Sequence, residues 1–165
     1  MKNLHSIDDL FLHELKDLYH AEKQLTKALP KLGKKVASDG LKSALEEHLE
    51  ETKTQIQRLE EVFELLGRKP STERCAAMEG LVKEAEELTS KKADPEVMDA
   101  AIISAAQKVE HYEIAGYGSL VEWAKLAGKK DIADILGKTL DEEEKADKKL
   151  TQLARKGINK AAAAG

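Results

Sequence analysis

Ala105 to Leu120 reads AAQKVEHYEIAGYGSL, and the position of Glu110 and Glu113 within it decides the fold. Ile102, Ala106, Val109, Tyr117, Leu120 and Ala124 recur at the three- and four-residue steps of one helix face, and both glutamates fall on that same stripe. An unpaired carboxylate in an apolar interior costs far more than one apolar contact returns. Solvent, a cationic partner or a metal ion must therefore neutralise the pair, and the rest of the chain offers the candidates.

Working outward, Asp94 and Pro95 read as the N-cap and first-turn proline of this helix, which runs about thirty residues, roughly 45 Å, to Gly128. Asp131 opens a further helix whose face carries Ile132, Leu136, Leu140, Glu143, Asp147, Leu150 and Ala154, and the terminal KAAAAG is expected to fray. Upstream, Ser71 to Ser90 holds a shorter helix, with Lys91 to Asp94 as polar linker. Ser6 and Asp9 resemble a capping box, followed by the stripe Phe11, Leu15, Leu18, Glu22, Leu25, Leu29, Leu32 and Val36. Pro30 should kink that helix. Ser38, Asp39 and Gly40 are expected to form the turn into a second helix over 41–66, stopped by Gly67 and Pro70. Its inward face reads Leu45, His48, Thr52, Gln55, Leu59, Val62 and Leu66. No stretch alternates as a strand would.

The chain has 165 residues, room for one domain over 1–165 with its own core. Its 35% charged and 41% hydrophobic content, rich in Ala, Leu, Glu and Lys, suits long amphipathic helices. The 31 acidic and 27 basic residues are interleaved, so no basic stripe exists to follow a phosphate backbone, and nucleic acid is disfavoured as a partner. Cys75 stands alone, which excludes an internal disulfide and suits a reducing compartment. The N-terminal stretch MKNLHSIDDLF has no sustained apolar run, so neither a signal peptide nor a membrane span is expected, and the cytoplasm is the expected location.

Two long helices joined by a short turn thus occur twice, with a short helix between the pairs. Each pair carries carboxylates on its buried face: Glu22 and Glu51 in the first, Glu110, Glu113, Glu143 and Asp147 in the second. This predicts an all-α, ferritin-like four-helix bundle with a long crossover and one additional short helix, the plan that houses two metal ions among inward carboxylates. About four carboxylates balance two divalent cations in a low-dielectric interior. Hard oxygen ligands suit manganese and ferrous iron, and imidazole would favour iron. His48 reads as a ligand, as a group orienting Glu51, or as a satisfied core histidine; Gln55 and Tyr117 are candidates to hydrogen-bond to the site. His111 points about 100° away from Glu110 and reads as surface or interface.

The segments YHAEKQLTKALPKL, LEEHLEETKTQIQRLEEVFELLG, RCAAMEGLVKEA, AAQKVEHYEIAGYGSL and LDEEEKADKKLTQLA resemble the YciE/YciF family of ferritin-like bacterial stress proteins. The resemblance spans nearly the whole chain. It implies a five-helix fold, a homodimer, a rubrerythrin-like dinuclear metal site and an association with stress responses. The implied ligands are Glu22, Glu51, Glu110, Glu113, Glu143 and Asp147. Rubrerythrin-like sites expect Glu-x-x-His on two helices, whereas Thr54 follows Glu51 at that spacing and the last helix offers Asp147. The expected function is oxidation of ferrous iron or reaction with O₂ or peroxide. The alternative is a non-enzymatic stress or assembly protein in which the metal only holds the bundle.

Overall fold

Ser6 caps the first helix as its spacing to Asp9 predicts: the Ser6 hydroxyl accepts from the Asp9 amide at 3.1 Å and donates to the Asp9 carboxylate at 2.8 Å. In this computed structural model, which describes residues 4–164, helix α1 then spans Ile7–Gly33. Pro30 falls in its final turn, where little helix remains to be deflected. Helix α2 spans Asp39–Leu65 and is capped by Ser38, so Asp39 and Gly40 form its first turn rather than a loop. Helix α3 is Ala76–Thr89, α4 is Pro95–Leu126 and α5 is Lys130–Leu153. A π-helical turn, Ala154–Ile158, carries α5 into a short α6, Asn159–Ala162, so most of the tail expected to fray is helical. The first three residues and the final glycine lie outside the described residues.

Gly67 and Gly128 terminate α2 and α4 in the same way. Each adopts a left-handed φ, 66° and 69°, which an L side chain resists. At each, two amides fold back: Gly67 and Arg68 donate to Glu64 and Phe63, and Gly128 and Lys129 donate to Lys125 and Ala124. These paired bonds satisfy carbonyls that the helix end leaves open.

Contacts between chain-distant groups set the topology. Lys129 Nζ reaches Asp8 Oδ1 at 3.1 Å, so α1 begins where α4 ends. At the other end, Asp99 near the start of α4 accepts from the Ala37 and Ser38 amides, each at 2.8 Å, so α1 ends where α4 begins. Helices α1 and α4 are therefore antiparallel, α2 and α4 are parallel, and the chain between them must travel the length of the bundle. That crossover contains α3, which packs on α1 and α4. Among the described residues there is no strand, and no helix is long and apolar enough to cross a membrane.

Two apolar clusters fill the bundle. One gathers Leu15, Leu18, Leu59, Phe63, Leu120 and Leu136. The other gathers Leu25, Leu29, Leu41, Met78, Ile102 and Leu150. The residues between them along the helices are polar, and that polar layer is the candidate site.

Candidate metal centre

Each of the four long helices delivers side chains to this layer because its apolar stripe is interrupted at mid-length. Helix α1 contributes Glu22, α2 contributes His48, Thr52 and Gln55, α4 contributes Glu110 and Glu113, and α5 contributes Thr139 and Glu143. All eight are buried. His48, Glu110, Glu113 and Glu143 each present a ligand atom within 4.8 Å of the others. His48 Nε2 lies 3.4 Å from Glu110 Oε1.

The hydrogen bonding is incomplete where completeness matters most. Thr52 returns its hydroxyl to the His48 carbonyl at 2.9 Å. Tyr117 donates to Glu22 Oε1 at 2.5 Å, and Gln55 Nε2 donates to Glu143 Oε1. Both ring nitrogens of His48, both oxygens of Glu113, one oxygen each of Glu22, Glu110 and Glu143, and Gln55 Oε1 have no such partner. Among the described residues, every buried side-chain polar atom lacking a hydrogen bond belongs to this layer. Buried polar atoms are ordinarily satisfied, so their concentration in one place calls for a ligand or protons.

Electrostatics give the same picture. Burial pushes the Glu22, Glu110 and Glu113 carboxyls well above the usual range, and neighbouring carboxylates add to it. Glu143 is raised too, again chiefly by burial, while hydrogen bonding to Glu110 and Gln55 and the nearby His48 pull in the opposite direction. Without a cation, four carboxyls buried this close together favour their protonated forms, since each ionised neighbour opposes the next. Burial also raises the Tyr117 phenol, which stays a donor to Glu22.

Of the sequence candidates, Glu22, Glu110, Glu113 and Glu143 are thus brought together, with Gln55 and Tyr117 bonded to them. His48 takes a place in the ligand-spaced group itself. Glu51 and Asp147 stand at the margin. Glu51 is 35% exposed, with Oε2 3.9 Å from His48 Nδ1. Asp147 is 20% exposed and turns toward the seam between α4 and α5, where its Oδ1 accepts from Gln107 Nε2 at 2.9 Å and lies 3.3 Å from His111 Nε2. His111, expected at the surface, is 68% exposed.

Sequence reasoning passed over Arg58 and Glu142. Arg58 grips Glu142 with two nitrogens at 2.6 and 2.8 Å, and Gln55 Nε2 lies 3.2 Å from Glu142 and also reaches Glu143. This fork fixes the amide that holds Glu143. The Glu142–Glu144 run reads as a solvated face, and only the three-residue offset of Arg58 from Gln55 hinted at the pairing. A second, partly buried network joins the crossover to α1 and α4. The Tyr112 hydroxyl contacts Asp17 and lies 3.0 Å from Cys75 Sγ, and the Cys75 amide donates to His20 Nδ1 at 3.0 Å. Burial pushes the Cys75 thiol up to about 11, so it stays protonated and unreactive at neutral pH.

Comparison with known proteins agrees with this architecture. Protein YciF of Escherichia coli (strain K12) is 48% identical over 161 residues, covering 97% of each chain. The crystal structure of the E. coli stress protein YciF superposes with a TM-score of 0.91 at 47% identity, over 95% of this chain and 99% of that one. YcfI from Rhodopseudomonas palustris gives a TM-score of 0.89 at 49% identity, over 91% and 96%. A protein from Xanthomonas campestris pv. campestris, 23% identical, shares the fold with a TM-score of 0.74, over 94% and 95%. Residues 6–163 match the family model described as "Domain of unknown function (DUF892)", and the chain belongs to that family, of which YciF is its close relative.

Proposed function

We propose that this layer is a carboxylate-rich centre that would hold two divalent metal ions, iron first and manganese second. The observation that carries the reading is that the unpartnered buried polar atoms converge on one layer and are of metal-ligating type. The donor set fits: Glu22, Glu110, Glu113 and Glu143 supply four negative charges when ionised, which balance two divalent cations. His48 adds the imidazole that the sequence pattern lacked at position 54, and imidazole shifts preference toward iron. Glu51, 3.9 Å from His48, and Asp147, on the face of α5 next to Glu143, are the further carboxylates that the resemblance assigns to the centre.

Iron held by such donors would supply the redox chemistry for reaction with O₂ or peroxide. The protein's own part is to hold the carboxylates in place through Tyr117, Gln55 and the Arg58–Glu142 fork, with an apolar cluster flanking them on either side. A stress-related role is in keeping with the resemblance to YciF.

Purification without chelator, metal analysis, and aerobic addition of ferrous iron to the metal-free protein test the reading. About two metals per chain and O₂ consumption above the buffer rate are expected, and Glu113→Gln should abolish both. Failure to take up metal would sink the proposal. A second reading, in which the metal is structural, is favoured by the position of the site: it ties four helices together between two separate cores. It predicts that metal raises the melting temperature while O₂ consumption stays at the buffer rate. We carry a homodimer with either reading, on the strength of the resemblance, and sedimentation tests it.

A further inference from the structure

A cavity of about 390 Å³ lies between α1, α3 and α4 and leads toward the polar layer. Its walls are apolar, built from Leu25, Leu29 and Leu32 on one side, Val82 from α3, and Ala105 and Val109 from α4. Its ends differ. His48 and Glu110, both buried, close the inner end, and His48 has neither ring nitrogen hydrogen-bonded. Lys31, Lys34, Lys35 and Glu86 form the outer end. Lys31 answers Glu86 at 2.9 Å. Lys35 Nζ donates to the Thr89 carbonyl and hydroxyl, both uncharged, at 2.9 Å. Glu86 feels the charge of Lys35 as well as that of Lys31, so the rim sets three ammonium groups against one carboxylate and is cationic on balance.

We propose that this cavity binds a linear monoanionic amphiphile, of the fatty-acid class, with its carboxylate at Lys34 and Lys35 and its chain directed inward toward His48 and Glu110. The class follows from the shape of the chemistry. An apolar cavity of this size falls within the range of small-molecule sites and accommodates a chain on the order of ten carbons at ordinary packing density. A cationic rim selects an acid over an alcohol or an amine, because only the acid pairs opposite charges there, while the amine is repelled. The small side chains Ala105 and Ala106 leave the space open where leucines would close it. The inference stands on the cavity and its rim and does not require metal loading.

Calorimetric titration of decanoate, decanol and decyltrimethylammonium into the metal-free protein tests it. Decanoate should bind one per chain, about tenfold more tightly than decanol, and decyltrimethylammonium should not bind measurably. Lys34→Met/Lys35→Met should remove the preference for the acid, and because it also removes the two Lys35 bonds to Thr89, circular dichroism and an unchanged affinity for decanol report that the cavity is intact. Ala105→Leu should weaken decanoate and decanol alike, with circular dichroism reporting that the variant is folded. The proposal is overturned if decanoate shows no saturable binding, if decanol binds as tightly, or if the double lysine variant keeps the preference. Because metal is absent throughout, these outcomes are independent of whether the centre loads iron.

Discussion

Tyr117 and Glu22 meet across the bundle, the phenol of α4 donating to Oε1 of the α1 carboxylate at 2.5 Å. The bond ties the polar layer to the apolar cluster beside it, since Tyr117 is a fully buried member of that cluster. Tyr117→Phe leaves the packing and removes the donor. Urea denaturation of the metal-free variant should show a loss of about 1–3 kcal/mol, the cost of leaving a buried acceptor unpaired. An unchanged midpoint would mean that Glu22 finds another donor.

Metal-free stability should fall as pH rises. The folded-state carboxyls of Glu22, Glu110, Glu113 and Glu143 are raised above their unfolded values, chiefly by burial. The folded protein therefore holds more protons than the unfolded chain above about pH 4.5. The stabilisation these carboxyls give is complete below that pH and lost as pH climbs through their folded values, at up to about 1.4 kcal/mol per pH unit for each excess proton. Glu113→Gln removes one such proton from the balance. Denaturation from pH 5 to 8 should give the variant a shallower slope and greater stability than the parent at pH 8, by about 1–3 kcal/mol. Equal slopes would contradict the linkage.

Gly116 and Gly118 lie on the same helix and should respond oppositely to alanine. A Cβ at Gly116 would approach Leu18 Cδ2 to 3.0 Å, with Cδ1 and Cγ at 3.2 and 3.3 Å, where α1 and α4 pass closely. Gly116→Ala should cost about 1–3 kcal/mol through overpacking. Nothing lies within 4 Å of a Cβ at Gly118, so Gly118→Ala should stabilise by up to about 1 kcal/mol through helix propensity. Thermal melts of the two variants check the pair.

Asp99 holds the turn between α1 and α2 against the start of α4 through two amides. Asp99→Ala should destabilise the protein by about 2–4 kcal/mol, since two donors lose a charged acceptor. Hydrogen exchange should show the Ala37 and Ser38 amides losing protection first. Exchange that stays slow there would mean that water or another acceptor replaces the carboxylate.

The five main helices and most of their ends were legible in the sequence, because they depend on short-range chemistry, whereas the helical tail of Ala154–Ile158 and Asn159–Ala162 was not. Ser6 caps, Gly67 and Gly128 turn left-handed, Pro95 starts a helix, and the three- and four-residue stripes mark the buried faces. The four carboxylates at the heart of the layer were legible for the same reason: each interrupts an apolar stripe at mid-helix. What lay at a stripe's edge needed the tertiary structure. Glu51 is about 60° from His48 around α2, and Asp147 about 40° from Glu143 around α5. Such small rotations leave a side chain inside or at the margin according to how neighbouring helices pack. His48 was ambiguous in the sequence because an imidazole suits a core, a hydrogen bond or a ligand position equally well. Only the approach of α4 and α5 places it with Glu110, Glu113 and Glu143. Asp99, the Arg58–Glu142 fork and the Tyr112–Cys75 contact join residues far apart in the chain, and periodicity along one helix carries no information about which partner arrives from another.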